Sequence, residues 1–324
     1  MSDETTMIAF GPVPSRRLGQ SLGVNNIPPK ICTYSCVYCQ LGATLKMQID
    51  RQPFYTPEEL VEDVQRKVAD AQARGEPIDY LTFVPDGEPT LDINLGREMA
   101  LLKPLGIKIA VISNASLIWR ADVREELAQA DWVSLKADAA TEETWRRVDR
   151  PHGKLDLAAI QEGMLEFARH YDGALMTETM LVDGVNDGEE AVRQVTDFLA
   201  RLRPARAYLA IPTRPPAEPW AQPPGEDVIN RAYQILSERV AHVEYLIGYE
   251  GNAFAFTGNV EEDLLSITSV HPMREDAVDT FLGRAHAEWD VVRRLVAQEQ
   301  LVETEYGSHR FYLRKLNQHK KGGE

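Results

Sequence analysis

Short, evenly apolar runs alternate with longer amphipathic stretches along most of the chain. The runs are Leu22–Val24, Tyr80–Val84, Lys108–Ile112, Trp132–Leu135, Ala174–Leu181 and Ala207–Ile211. Runs this short and this uniform suit strands covered on both faces, as in a parallel sheet. The stretch after the first run opens a helix: Thr56 is placed to cap it, Pro57 takes the first helical position, and Glu59 completes a capping-box spacing. Leu60, Val64 and Val68 then repeat at helical spacing, and Gly75 ends the segment. Similar patterns predict helices over 93–105, 120–129, 157–171, 188–202 and 226–240. Six βα units in succession predict an α/β fold with a parallel sheet, either open and doubly wound or a full or partial barrel. His242–Gly248 would add a last strand.

From about Thr257 the pattern changes. Helical pieces over 261–268, 274–282 and 285–298 precede two strand-like runs, Leu301–Thr304 and Arg310–Leu316, joined by the turn Tyr306-Gly307-Ser308. Helices followed by a hairpin predict a winged-helix-like domain over 255–324, after an α/β domain over 1–254, with 285–298 as its recognition helix. Pro212–Pro224 holds six prolines and reads as a stiff connector or as a loop at the sheet's C-terminal rim. Gln318–Glu324 reads as a frayed tail.

The chain has 324 residues, 44% hydrophobic and 26% charged, which supplies a sizeable core and excludes a disordered chain. No apolar run nears the roughly 18 residues of a membrane span, and Met1–Thr6 lacks a secretory leader, so a cytoplasmic protein with no membrane partner is expected. A net charge of −15 argues against non-specific coating of nucleic acid. Residues 255–324 are themselves acidic on balance, and only Arg310–Lys321 is clearly basic.

Three cysteines, Cys32, Cys36 and Cys39, lie within eight residues, and the chain has no other. That excludes a disulfide framework. Structural zinc takes four protein ligands and catalytic zinc three plus water, yet no histidine or fourth cysteine lies nearby. A cubane iron–sulfur cluster has four irons, so three thiolates leave one iron open to an outside ligand. Such an iron can chelate the amino and carboxylate groups of an amino acid.

Function in a parallel α/β sheet gathers at the carboxyl ends of the strands. Each predicted end carries polar groups: Asn25 and Asn26; Asp86-Gly87-Glu88-Pro89; Ser113-Asn114; Lys136 and Asp138; Thr177, Glu178 and Thr179; Thr213-Arg214. Strand alternation puts Thr177 and Thr179 on one face and Glu178 on the other. Lys136 is the catalytic candidate, as an acid, a Schiff-base nucleophile or an anion clamp; the plainer reading is a snorkelling surface lysine, and Asp138 would pair with it. Arg16 and Arg17 would bind a phosphate or carboxylate at the rim, or are simply solvated. His152 reads as a structural loop histidine.

With Tyr38 directly before the third cysteine, the spacing resembles the signature of the radical S-adenosylmethionine (radical SAM) superfamily. Asp86-Gly87-Glu88-Pro89 resembles that superfamily's Gly-Gly-Glu-Pro motif, with Asp86 at the first glycine, and Ser113-Asn114 resembles its next polar pair. The runs Val13–Gly19, Leu22–Asn25 and Ile211–Glu218 are similar to a branch grouped with wyosine-type tRNA-modifying enzymes, over about residues 10–220. The resemblance implies a partial (β/α)6 barrel and one [4Fe–4S] cluster on Cys32, Cys36 and Cys39. It implies S-adenosylmethionine held by Gly87, Glu88, Ser113 and Asn114, with Tyr38 at the adenine and Glu178 as a further candidate. It also implies a low-potential electron donor of the flavodoxin or ferredoxin type, and a 5′-deoxyadenosyl radical that abstracts hydrogen from substrate. The substrate expected from the branch is an RNA base, as in tRNA modification. Wyosine-base synthases carry further upstream cysteines that this chain lacks, which leaves a protein or peptide partner as an alternative. A non-enzymatic iron–sulfur or zinc regulator that reads DNA with its wing is a third reading.

Overall fold

A computed structural model describes residues 8–248 and 250–315. The expectations for Met1–Thr6, for Leu316 and the basic Lys320 and Lys321, and for the tail Gln318–Glu324 fall outside the described residues. The chain begins with an antiparallel pair, β1 (Ala9–Ser15) and β2 (Gly19–Val24). A ribbon of β3 (Ile31–Cys32) and β4 (Lys46–Met47) brackets the cysteine loop. Then come α1 (Pro57–Ala73), β5 (Tyr80–Phe83), α2 (Leu95–Leu102), β6 (Lys108–Ser113), α3 (Ala121–Leu127) and β7 (Trp132–Lys136). They are followed by α4 (Glu142–Val148), α5 (Leu157–His170), β8 (Ala174–Met180), α6 (Glu189–Leu202), β9 (Arg206–Ala210), α7 (Glu226–Ser237) and β10 (Val243–Leu246).

Sheet order is β1-β2-β5-β6-β7-β8-β9-β10, which repeats chain order. Every neighbouring pair after β1–β2 is parallel. Among the described residues this makes seven parallel strands, the six of the βα units and β10, the last strand expected over His242–Gly248. The sheet curls: Leu18, Ala110, Trp132, Tyr208, Ala210 and Leu246, drawn from the β1–β2 turn, β6, β7, β9 and β10, share one apolar cluster on its inner face. Its edges approach one another without pairing strands, since the Arg16 guanidinium after β1 donates to the carbonyls of Leu246 and Gly248 after β10. The result is a partial barrel with helices outside. The outer-facing Leu22, Leu81, Val111, Val133, Leu135 and Leu209 pack with Leu60, Val64 and Leu199 of the helices in the main core.

The helix predicted at Thr56 forms as its capping box directs: Thr56 Oγ1 accepts from Glu59 N at 3.3 Å, and Glu59 Oε2 accepts from Thr56 N at 3.1 Å. The pattern misses β1, whose Gly11, Pro12 and Pro14 read as loop; prolines are tolerated on this edge strand, where the register also slips between Phe10 and Val13. It also misses α4.

Beyond the barrel lie α8 (Val260–Val270), β11 (Met273–Arg274), α9 (Glu275–Arg284), α10 (Asp290–Ala297), β12 (Leu301–Tyr306) and β13 (His309–Arg314). The last three strands form a sheet in the order β11-β13-β12. The stretch 285–298 is not one helix, because His286 takes a left-handed backbone (φ 52°) and α10 starts only at Asp290. Phe254, Leu264, Phe281 and Leu295 make a second core that also takes in Phe10 and Val13 of β1. A buried ion pair adds to this seam: Lys67 Nζ of α1 lies 2.7 Å from Asp263 Oδ1 of α8 and donates to Thr257 Oγ1 at 2.7 Å. Among the described residues no helix is long and apolar enough to cross a membrane.

Candidate active site

Cys32 ends β3, and the loop from there to β4 carries Cys36 and Cys39. Its backbone is pinned to the end of α4, where Ser35 N donates to Asp149 O at 3.1 Å and Val37 N to Val148 O at 3.0 Å. Tight turns from Cys39 N to Cys36 O and from Gly42 N to Cys39 O wind it on itself. All three thiols line one cavity of about 290 Å³ at the carboxyl ends of the strands. Burial pushes the Cys32 thiol up to about 12 and raises Cys36 and Cys39 as well, so a bound cation is what would make them thiolates. Among the described residues no three His, Cys, Asp or Glu side chains converge as a single metal ion would require. Three separate thiols on one wall are a donor set for a cluster in which each of three irons takes one thiolate. Asn114 Nδ2 also donates to Cys32 Sγ at 3.6 Å, the kind of bond that tunes such a cluster.

The loop after β5 lies against the start of the cysteine loop. Lys30 N donates to Asp86 O at 2.7 Å, and Ile31 bridges to Gly87. A Cβ on Gly87 would fall 1.9 Å from the Ile31 carbonyl oxygen, so only glycine permits this approach. Asp86, at the motif's first glycine, lies 3.2 Å from Lys30 Nζ; burial raises its carboxyl to about 6, against the pull of that ammonium. Glu88 is buried and accepts four bonds: from Thr90 N and Oγ1 at 3.1 and 2.6 Å, from Ser113 Oγ at 2.8 Å, and from Asn114 N at 2.8 Å. Its carboxylate therefore splints the loops after β5 and β6 and sets the direction of Ser113 and Asn114.

Alternation along β8 turns Glu178 into the barrel, between Met176 and Met180, while Thr177 and Thr179 face the helices. Lys136 and Glu178 are directly paired across β7 and β8 and form an ion pair, and Arg17 donates to the other Glu178 oxygen. Burial alone would raise the Glu178 carboxyl, but Lys136, Arg17 and Arg16 hold it down at about 2. Burial works against charge on Lys136 too, yet Glu178 and Asp138 raise it above its ordinary value. An ammonium so held counts against the amine-nucleophile role for Lys136. It also lies 5.0 Å from the centroid of the Tyr38 ring. Tyr38 donates its hydroxyl to Asp138, whose other oxygen accepts from Met180 N at 2.6 Å. The expected Lys136–Asp138 bridge is thus replaced by Lys136–Glu178. Asp149 completes a buried carboxyl pair with Asp138, and burial followed by Asp138 raises it well above the ordinary range.

The residues expected to hold the cluster and the cofactor, with the catalytic candidate, all line this one cavity: Cys32, Cys36, Cys39, Tyr38, Gly87, Glu88, Ser113, Asn114, Lys136 and Glu178. Arg16, Arg17, Thr213 and Arg214 line it too, so the proline-rich segment is a rim loop, anchored by Glu218 N donating to Val37 O at 2.9 Å. Asn26 and His152 serve the scaffold: Asn26 Nδ2 donates to Pro89 O, and His152 N to Thr33 O. Glu250 and His271 were not foreseen. They border a smaller adjoining chamber with Arg16, Arg17 and Arg214, and no local motif marks them. Asp149, hidden at the end of the unpredicted α4, carried no signal either.

Residues 26–195 match the family model of the radical SAM superfamily. The chain is 45% identical over 311 residues to a UPF0026 protein of Methanocaldococcus jannaschii, covering 95% of this chain and 96% of that one. It is 37% identical to a UPF0026 protein of Helicobacter pylori over 66% of this chain and 69% of that one. Among solved structures, a radical SAM methyltransferase from Sphaerobacter thermophilus aligns with a TM-score of 0.52 at 16% identity, over 70% of this chain and 66% of that one. A structure of TYW1 with a lysine–pyruvate adduct bound aligns with a TM-score of 0.51 at 17% identity, over 68% of this chain and 74% of that one. At these identities the last two establish a shared fold.

Proposed function

Because the chain belongs to the radical SAM superfamily, whose enzymes use a [4Fe–4S] cluster and S-adenosylmethionine, we propose that Cys32, Cys36 and Cys39 hold that cluster. We propose further that the cavity above them holds S-adenosylmethionine against Tyr38, Gly87, Ser113 and Asn114. When bound, the pair supplies reductive cleavage of the sulfonium C–S bond, and with it a 5′-deoxyadenosyl radical able to take a hydrogen atom from substrate. The observation that carries this reading is the convergence of three thiols and the polar strand ends on one cavity. Glu88 acts by positioning: it fixes Ser113 Oγ and Asn114 N. Lys136, locked to Glu178, offers the cofactor or substrate a fixed positive charge. Val84, Ile112, Met180 and Ala210 give the cavity an apolar wall that keeps water from a reactive radical. The electron donor is a low-potential protein of the flavodoxin or ferredoxin type, and the setting is the reducing cytoplasm, where cysteines stay out of disulfides. Anaerobic reconstitution, reduction with dithionite and assay for 5′-deoxyadenosine test the reading; a protein that binds about four irons and yields none of the nucleoside would refute it.

A second reading, modification of an RNA base, draws on the order of elements over 255–324, which is that of a winged helix appended to residues 1–254. It also draws on Tyr306 of β12, which donates to Pro212 O at the cavity rim at 3.3 Å. The charge distribution favours it less. Arg293 and Arg294 of α10 pair with Asp290 and Glu261, and Arg310 and Lys315 pair with Glu275, Glu303 and Glu299. Binding to bulk tRNA that weakens steeply with salt supports this reading; no retention on filters at low salt removes it.

A further inference from the structure

The small ribbon beside the barrel leaves one flank of the cysteine loop open. β4 pairs with β3 alone, and its other edge carries no strand among the described residues. Met47 stands opposite Cys32 in that pairing, and Gln48 N donates to Cys32 O at 3.1 Å. Leu45, which leads into β4, is 65% exposed; Met47 is 37% exposed, and Lys46 between them is exposed too. A single exposed apolar side chain is ordinary, but two large ones flanking a lysine on an unpaired edge strand are what a partner covers. None of the three lines the cofactor cavity, although Gly42 and Thr44 just before them do. Charge sets this surface apart as well. The chain carries 50 acidic residues, yet between Glu4 and Asp50 it carries none. Lys46 forms no ion pair among the described residues.

The other flanks of the cysteine loop are taken. The thiols line the cofactor cavity, and Ser35 and Val37 are bonded to the end of α4. The chain has no further cysteine to hold a relaying cluster, so the electron that the proposed reaction needs comes straight from a carrier outside. We propose that Leu45, Lys46 and Met47 form the docking surface for that carrier, a small acidic electron-transfer protein of the flavodoxin or ferredoxin type. The inference rests on the radical SAM reading and adds to it the place where the electron enters. Neighbouring strands lie about 5 Å apart, so a carrier seated on the free edge of β4 comes within about 10 Å of the Cys32 backbone. Apolar contact on Leu45 and Met47 holds the two proteins together, while Lys46 steers an acidic face of the carrier into register. The patch is small, which suits an encounter that must dissociate after each electron. One electron leaves the reduced carrier, which is thereby oxidised, and passes to the cluster; no bond forms or breaks in that step.

The test compares reductants on the anaerobically reconstituted full chain: dithionite, which is small enough to need no docking surface, and a reduced flavodoxin or, separately, a reduced ferredoxin. Carrier binding is measured alongside, by the fluorescence anisotropy of labelled flavodoxin and labelled ferredoxin. At least one carrier should bind and drive 5′-deoxyadenosine formation. Lys46→Glu and Leu45→Ser should each weaken that binding at least threefold and slow carrier-driven formation at subsaturating carrier in proportion. The dithionite-driven rate and the iron bound per chain should stay unchanged, which a misfolded variant would not allow. Added salt should weaken binding to the native chain more than to Lys46→Glu. Binding of neither carrier, equal binding by native chain and variants, or an equal fall in the dithionite-driven and carrier-driven rates overturns the inference. So does a native dimer that Leu45→Ser dissociates, since the patch then belongs to a second copy. Any of these with nucleoside formed by the native chain under dithionite sinks the docking surface and leaves the radical reading; carrier binding weakened in both variants, with no nucleoside under dithionite, does the reverse.

Discussion

Lys136 and Glu178 stand side by side on β7 and β8 and form an ion pair inside the barrel, with Arg17 on the far oxygen of the same carboxylate. Neither residue is near the other in sequence, and the pair exists only because consecutive parallel strands align their ends.

Loss of the Glu178 charge should therefore destabilise the protein. Glu178→Gln leaves Lys136 and Arg17 without their shared anion, and an uncompensated buried charge costs about 3–5 kcal/mol. The pH dependence has a definite sign. The folded carboxyl sits at about 2, below its ordinary 4.5, so the stabilisation is complete above pH 4.5 and is lost as pH falls towards 2. That depression corresponds to roughly 3 kcal/mol. Urea unfolding from pH 6 down to pH 2.5 should show the acid slope in the native chain and a shallower one in Glu178→Gln; equal slopes would contradict the assignment.

Gly87→Ala should disturb the cluster loop. The new methyl group would meet the Ile31 carbonyl oxygen at 1.9 Å and Ile27 Cδ1 at 2.7 Å, and a backbone atom cannot swing aside as a side chain can. We expect about 1–3 kcal/mol of destabilisation from overpacking and a fall in iron bound per chain on reconstitution. Full iron content with unchanged stability would show that the two loops are not coupled.

Each of Cys32→Ala, Cys36→Ala and Cys39→Ala should abolish the cluster's visible absorbance and all 5′-deoxyadenosine formation, because the chain holds no other cysteine to substitute. Chelation of iron from the native protein should abolish the same activity, with recovery on reconstitution. A single variant that retains activity would remove that thiol from the ligand set.

Glu98 makes the opposite prediction to Glu178. It is fully buried, and burial together with the neighbouring Asp92 carboxylate raises it to about 9. A raised carboxyl contributes its full stability below pH 4.5 and loses it as pH climbs towards 9. Glu98→Gln should therefore flatten the alkaline fall and stabilise the chain at pH 8.5 by about 1–3 kcal/mol, measured as a urea midpoint shift. A variant less stable than the native chain at that pH would refute this.

Much of this molecule is legible along the chain. Apolar runs of three to eight residues become the parallel strands, because a strand covered by helices on one face and barrel lining on the other has no polar face to alternate. The capping box at Thr56 and the cysteine spacing are equally local, since the groups that interact lie a few residues apart. For the same reason the polar residues after each strand mark the site: parallel strands in chain order bring their carboxyl ends to one rim.

What the chain alone leaves open is decided by contacts across long sequence distances. Glu88 is an ordinary turn residue until Ser113 and Asn114 close on it from the next strand's end. The charge of Lys136 is held by Glu178, 42 residues on. Arg16 meets Glu250 only because the barrel curls and brings its first turn to its last strand's end, where the helix that ends at His271 also abuts. Local spacing determines which groups are present and which elements carry them. Burial and pairing determine their charge states, and those are properties of the folded barrel alone.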